Sequence, residues 1–407
     1  MYDADIIIVG AGLSGLRAAL ELSRGGLSVM VLEKEGRVGG RMRTDSHGGV
    51  LLDHGFQVVL TGYPELALIP EVSRLELRSF WAGARMQLES GVAELLDPRR
   101  HPARLLASLA GPVVSIRDLL TLGAFVYGGS RSAPKIFGRS TADTIEGLGF
   151  SQIFKGAFLR PFLRGILLDP TLSSDAGLAQ FYLRMFARGN AALPAKGIQA
   201  LPELLADTLG RQHVSVNTPV MRLTANSVVL QSGEELMCKR VICAVDALAA
   251  AALTGPDQTV PHKGTITVYF LADTPPYQEP LILLSSDELG PINNLAVLTN
   301  VQPSYAPSGK ALIAASVVGD RTHLSHEDLL TAIRAQLARW FGSETQRWEH
   351  LRTFTIPNAL PARPRLSSGW VEHKGVLYCG DYLSYGSQNG ALAAGRAVAQ
   401  ELLGVLL

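Results

Sequence analysis

Three glycines open the chemistry of this chain. Gly10, Gly12 and Gly15 stand at G-x-G-x-x-G spacing, with Leu13 and Ser14 inside the set. An apolar run, Ile6 to Val9, precedes them, and an Ala- and Leu-rich helical pattern, Leu16 to Arg24, follows. A second apolar run, Val29 to Leu32, ends on Glu33 and Lys34. Strand, glycine turn, helix, strand and acid in this order predict a βαβ unit that binds a dinucleotide. Gly10 makes the tight turn, Gly12 lets the backbone approach a pyrophosphate, and Gly15 lets helix and strand pack closely. The pyrophosphate would rest on the helix N-terminus, where free N–H groups favour negative charge. Glu33 stands where an acid accepts ribose hydroxyls.

The next stretch is Glu35-Gly36-Arg37-Val38-Gly39-Gly40-Arg41-Met42-Arg43-Thr44. It resembles the RxGGRxxT signature of the flavin amine oxidase superfamily, which includes monoamine oxidases, protoporphyrinogen oxidases and carotenoid desaturases. The resemblance implies FAD. Gly39 and Gly40 would bring backbone N–H groups to the flavin and its phosphates, with Arg37 and Arg41 as basic ligands; a guanidinium matches phosphate as a planar fork. The plainer reading of Arg37, Arg41 and Arg43 is a solvated basic loop. Asp53-His54-Gly55 resembles the superfamily's D-x-G turn, which would set Gly55 and Phe56 against the flavin ring. His54 reads as a turn residue bonding its own backbone, and Gln57 as a candidate facing the flavin.

Composition sets outer bounds. The chain has 407 residues, 47% hydrophobic and 18% charged, with formal net charge +1. That length allows two domains. The charge balance argues against nucleic acid as a partner. The three cysteines, Cys238, Cys243 and Cys379, show neither a disulfide framework nor metal spacing. They fit a reducing compartment, and acidic Asp3 and Asp5 after Met1 fit no signal peptide, so a cytoplasmic location is expected. Charges interrupt every apolar stretch of about 18 residues, so no transmembrane helix is expected. Leu105 to Tyr127 is the candidate for peripheral membrane contact; the plainer reading is a buried helix pair.

Further along, Asp97 to Asn190 reads as mostly helical. Phe150, Phe154, Phe158 and Phe162 recur every four residues and would share one helix face, as core or as an aromatic cavity wall. Leu193 to Leu204 resembles the superfamily's P-x-G-G-[MI]-x-x-L segment, with Lys196 replacing the first glycine. Val214 to Val220 reads as a strand, with the Val220 backbone implied at the adenine. Arg240 to Val245 reads as a buried parallel strand, and Thr265 to Leu271 and Leu312 to Val318 as strands. Pro357, Pro361 and Pro364 read as a linker. The tail, with Gly380, Asp381, Asn389, Gly390 and Ala391, resembles the superfamily's second flavin motif. There Asp381 would bond the ribityl chain or phosphate, and the last helix would aim its N-terminus at the ring.

The resulting fold class is α/β: a Rossmann-like FAD-binding domain of the glutathione-reductase type, with an inserted α+β substrate domain and a helical cap. The expected division assigns 1–80, 193–258 and 355–407 to the FAD-binding domain, 81–192 to the cap and 259–354 to the substrate domain.

No catalytic triad or metal motif is present, and none is needed when a cofactor carries the redox chemistry. Catalytic candidates are Gln57, Tyr385 and Ser387. Ser387 falls where monoamine oxidases carry one member of an aromatic cage, and the tail looks more like that of plant-type carotenoid desaturases. Many amine oxidases also carry a lysine in the substrate-domain strand; Gly264 to Phe270 has none, and Lys263 stands just before it. These departures favour dehydrogenation of an apolar substrate by noncovalent FAD, forming a C=C or C=N bond. The alternative is an amine oxidase releasing an imine and hydrogen peroxide. The electron acceptor, oxygen or a quinone, is open. A non-enzymatic third reading is a prenyl-binding GDP-dissociation inhibitor, which shares this fold; the intact glycine and arginine set argues against it.

Overall fold

The computed structural model describes residues 2–128, 134–253, 261–287, 290–319, 324–362 and 368–406. Two sheets organise this mixed α/β chain. In the first, Ala4–Val9 lies parallel between Val29–Leu32 and Glu235–Cys243. Val214–Ser215 extends one side, and Val376–Cys379 pairs parallel with Glu235–Cys243. Ile6, Ile7, Ile8, Val241 and Ile242 are fully buried, as continuous apolar strands covered on both faces should be.

Helices Leu13–Arg24, Ala200–Leu209 and Gln388–Leu406 share one core through Leu16, Leu20, Leu205, Leu392 and Leu402. The first and last of these meet closely. A Cβ on Gly395 would lie 2.2 Å from the Ser14 carbonyl oxygen, so only glycine fits.

The second sheet runs in the spatial order Glu349–Pro361, His262–Ala272, Ala311–Val318, Asn294–Val297, Ile282–Ser285, Gly83–Leu88, Gly91–Leu96. Two expectations change here. The hairpin Gly83–Leu96, expected with the helical cap, joins this sheet through parallel pairing with Ile282–Ser285. Pro357 and Pro361, read as linker, lie in the strand Glu349–Pro361. That strand is at the sheet's edge, where a residue without an N–H is tolerated, and its register shifts opposite Lys263 and Thr265. Pro364 lies outside the described residues. Val214 to Val220 is not one strand either. Asn217, with φ of 52°, separates Val214–Ser215 from Val220–Leu223.

Among the described residues, the region from Pro102 to Arg188 is mostly helical. Ser115 caps helix Ile116–Tyr127 in a reciprocal box with Asp118, and Ser140 caps Thr141–Gly147. Leu105–Ala110 and Ile116–Tyr127 are separate and partly exposed, so they are neither a span nor a buried pair. No helix among the described residues is long and apolar enough to cross a membrane.

Among the described residues, a largely buried ion pair joins this helical region to the second sheet. Lys263 lies inside strand His262–Ala272, not before it, and its ammonium donates to Asp169 (3.2 Å) and to the Leu167 carbonyl (3.1 Å). Asp169 also accepts from the Ser174 backbone and hydroxyl. Burial opposes its ionisation, yet these bonds and the Lys263 charge hold its pKa well below the ordinary value. A carboxylate depressed on folding stabilises the fold above its unfolded pKa of about 4 and loses that contribution as pH falls. Removing one partner of a buried pair costs roughly 3–5 kcal/mol. Asp169→Asn should therefore lower the melting temperature at pH 7, and the gap from wild type should narrow below about pH 4. A gap that stays constant with pH would show that the charge is not what matters.

Candidate functional site

A cavity of about 700 Å³ lies between the two sheets. Its nucleotide end is built by the glycine turn. Gly10 has φ of +103°, and a Cβ there would press on the Ala244 carbonyl at 3.0 Å. Gly12 faces open space, with nothing within 4 Å of an added Cβ. Gly15 does not line the cavity. A Cβ there would meet the Gly10 carbonyl oxygen at 2.0 Å, which is the close helix-to-strand packing expected of it.

Glu33 is buried at the strand's end. Its carboxylate accepts the Ala11 N–H (2.8 Å) and the Glu35 N–H (3.0 Å), holding both loops around the cavity. Lys34, Leu13, Ser14, Pro219 and Val220 complete this end. An open glycine cradle, a helix N-terminus and a fixed carboxylate fit the phosphates and ribose of a dinucleotide.

The basic loop divides. Gly39, Gly40 and Arg41 line the cavity, whereas Arg37 turns away to Asp45 (2.8 Å) and the Thr44 carbonyl (3.1 Å). Arg41 and Asp381, expected as separate ligands, bond each other at 2.6 Å, and Arg41 also reaches the Ala359 carbonyl. They join the two motif-bearing ends of the chain.

At the turn, Gly55, Phe56 and Gln57 line the cavity; the Phe56 N–H donates to Thr267 (3.1 Å), and Gln57 donates to the carbonyls of Arg41 and His54. His54 does not bond its own backbone through its ring. Its Nε2 lies 2.9 Å from Asp45, and the ring lies tilted against Phe354 with centroids 4.5 Å apart.

The tail is placed less uniformly. Gly380, Asp381, Ser387 and Ala391 line the cavity; Asn389, Gly390 and Tyr385 do not. Asn389 is buried, accepting from the Glu65 N–H and donating to the Tyr385 hydroxyl. Tyr385 packs edge-on to Phe181. A Cβ on Gly390 would meet the Tyr385 carbonyl oxygen at 2.0 Å. Ser387 accepts the Gly390 N–H at 2.9 Å, capping the last helix at the cavity wall.

Two tyrosines absent from the sequence reading stand here instead. Tyr63 and Tyr182 line the cavity with Ser387, and the Tyr182 hydroxyl donates to the Gly386 carbonyl at 3.1 Å. Burial pushes both phenols well above their ordinary pKa, so they stay neutral. Asn294, Ser316 and Gln388 were also missed. Ser316 carried a signal: it is the one polar residue in the strand Ala311–Val318.

A second cavity of about 460 Å³ adjoins the first, sharing Phe56, Val58, Tyr63, Gly165, Ile166 and Asn294. Its walls include Leu119, Leu122, Val126, Phe158, Phe162 and Phe186. The phenylalanine ladder thus serves both readings. Successive rings of Phe150, Phe154, Phe158 and Phe162 lie 5.6, 5.2 and 5.3 Å apart. The first two are core and the last two are wall.

A family model described as flavin containing amine oxidoreductase matches residues 13–403. The chain belongs to this family. Protoporphyrinogen oxidase 2 of Arabidopsis thaliana is 24% identical over 273 residues, covering 57% of this chain and 53% of that protein. A hydroxysqualene dehydroxylase of Rhodopseudomonas palustris is 30% identical over 244 residues, covering 56% and 53%. The matched segment thus spans about half the length of each of these two relatives. An oxidoreductase from Methanosarcina mazei superposes with a TM-score of 0.76 at 18% identity, over 97% of this chain and 99% of that one. Putrescine oxidase bound to putrescine gives 0.71 at 20% identity, over 98% and 99%. These structures share the fold. The family is one of flavin-containing oxidoreductases, which argues against the non-enzymatic reading.

Glu33→Ala should loosen both loops and lose a charged acceptor. Hydrogen bonds to charged groups contribute roughly 1.5–3 kcal/mol, so flavin affinity should fall at least about tenfold. Titration of the apoprotein with FAD, followed by flavin fluorescence, checks this; unchanged affinity would reduce Glu33 to a scaffold residue.

Proposed function

We propose that this chain holds FAD noncovalently and oxidises a C–H bond of an elongated, mostly apolar molecule, forming a C=C or C=N bond. When bound, the flavin supplies the hydride acceptor. In this reading Gly10, Gly12, Leu13 and Ser14 receive the pyrophosphate and Glu33 the ribose. Gly39, Gly40, Gly55, Phe56, Gly380 and Ala391 receive the rest of the cofactor, and Gln57 and Ser387 border the reacting end. Cys238, Cys243 and Cys379 are buried and outside the cavity lining, which supports noncovalent binding.

The observation that carries the substrate reading is the second, apolar cavity opening from the first. Its mostly apolar walls would hold a hydrocarbon by burial, at roughly 25 cal/mol per Å² of apolar surface. Tyr385 turned toward Phe181 supports the same reading, because it leaves the reacting end open. Lys263, engaged with Asp169, lies away from the cavity lining. One observation favours the amine oxidase reading. Tyr63 and Tyr182 put two aromatic side chains beside Ser387, although not where the aromatic pair was sought.

The purified protein should be yellow, and acid precipitation should release the flavin into the supernatant. Anaerobic titration with protoporphyrinogen, a long-chain polyene and long-chain alkylamines should bleach the flavin absorbance with an apolar compound. Bleaching by amines alone would overturn the hydrocarbon reading in favour of the amine one.

We also infer peripheral membrane contact through the outer side of the same wall. Leu106, Ile116 and Leu120 are 79%, 64% and 70% exposed there, while Leu119 and Leu122 of the same helix line the second cavity. A lipophilic substrate could pass between them and a bilayer. Liposome flotation should carry the wild type upward and leave Leu106→Glu/Leu120→Glu behind; flotation of neither removes the idea.

A further inference from the structure

One row of side chains crosses the second sheet from the cofactor cavity to the apolar one. The register pairs Thr267 with Ser316, Ser316 with Asn294, and Asn294 with Leu284. At one end, the Thr267 hydroxyl accepts the Phe56 N–H of the turn at the first cavity. At the other, Leu284 lines the second. Neighbouring strands lie about 4.8 Å apart, so the row moves from polar to apolar within roughly 15 Å.

Its middle carries unused hydrogen-bonding capacity. Ser316 is 5% exposed, lines the first cavity, and its hydroxyl has no partner. Asn294, 4% exposed, lines both cavities. Its amide oxygen accepts from Asn293 at 3.0 Å, which leaves its N–H donors for the cavity. A buried hydroxyl without a partner is costly, and natural structures rarely leave one without a reason. Here a substrate atom would satisfy it.

Gly165 keeps the passage over this pair open. It lines both cavities, and a Cβ there would lie 3.1 Å from the Asn293 amide and 3.2 Å from the Asn294 oxygen. The charged residues lining the second cavity, Asp97 and Arg99, bond each other. The pair therefore offers donors and a neutral hydroxyl, with no carboxylate beside it to hold an ammonium.

We propose that Ser316 and Asn294 form a specificity site for an uncharged oxygen, hydroxyl or carbonyl, on an otherwise apolar substrate. The substrate would straddle Gly165 with its hydrocarbon in the second cavity and its oxygen near the reacting end. This rests on the apolar-substrate reading given above.

Calorimetry on the flavin-loaded protein with 1-decanol and 1-decene tests it, flavin absorbance confirming that each variant is folded. Wild type should prefer 1-decanol. Ser316→Ala and Asn294→Ala should each weaken 1-decanol by roughly threefold to tenfold, the worth of one neutral hydrogen bond, and leave 1-decene unchanged. Gly165→Val should weaken both probes. If wild type shows no preference, or both alanine variants keep it, the specificity site is overturned while the apolar chamber stands. If 1-decene fails to bind, or binds Gly165→Val as well as wild type, the chamber reading falls and the proposal with it.

Discussion

The carboxylate of Asp53 pins the two halves of this protein together at the cavity. It is 1% exposed and accepts three hydrogen bonds, from the Thr44 hydroxyl (2.6 Å), the Ile198 N–H (2.9 Å) and the Tyr305 hydroxyl (2.8 Å). Its own carbonyl accepts the Tyr269 hydroxyl at 2.9 Å. Those partners come from the loop after the glycine unit, the chain's return to the first sheet, and the second sheet. Burial raises its pKa to about 6 despite these bonds. A buried carboxyl group held by three donors, with no cation bonded to it among the described residues, must keep its geometry fixed. The turn that follows, His54 to Gln57, is thereby set against the cavity.

Local signals were legible and long-range ones were not. The glycine turn, Glu33, the Gly39–Gly40 loop and the final strand-turn-helix are each defined within a few residues, and their backbone demands show directly as glycine and apolar runs. The pairing of Gly83–Leu88 with Ile282–Ser285 joins segments about 200 residues apart, and nothing in either sequence names the other. The prolines of Glu349–Pro361 signalled a break because proline interrupts most strands, and only sheet position shows this one to be an edge. Tyr63 and Tyr182 meet at Ser387 from separate elements, so neither stood out. Tyr385, at the place where the tail pattern drew attention, instead anchors Asn389 inside the fold.

The basic residues of the signature loop show how residue type underdetermines role. Arg37 and Arg41 were equal candidates by type. Arg37 is neutralised by Asp45 and holds its own loop shut, whereas Arg41 crosses to Asp381 and closes the cavity wall from the far end of the chain. In the proposed reading an anion here would lean on backbone N–H groups and the helix N-terminus, which carry no countercharge, more than on the guanidinium groups of Arg37 and Arg41.

This separates two jobs. The cofactor end is built from backbone positions that only certain residues permit, so its sequence is constrained and its motifs recur across enzymes with different substrates. The substrate end is built from side chains projecting off regular strands and helices, where any residue fits the backbone. There Ser316, Asn294 and Leu284 sit at successive positions of one sheet row, and in the proposed reading Ser316 and Asn294 would set what binds. Substrate choice in such an architecture is written in a few inward-facing side chains of the second sheet and the helices over it. That is why the motifs identify the flavin-containing family while, in the proposed reading, the cavity row and the phenylalanine wall would carry the information about a substrate.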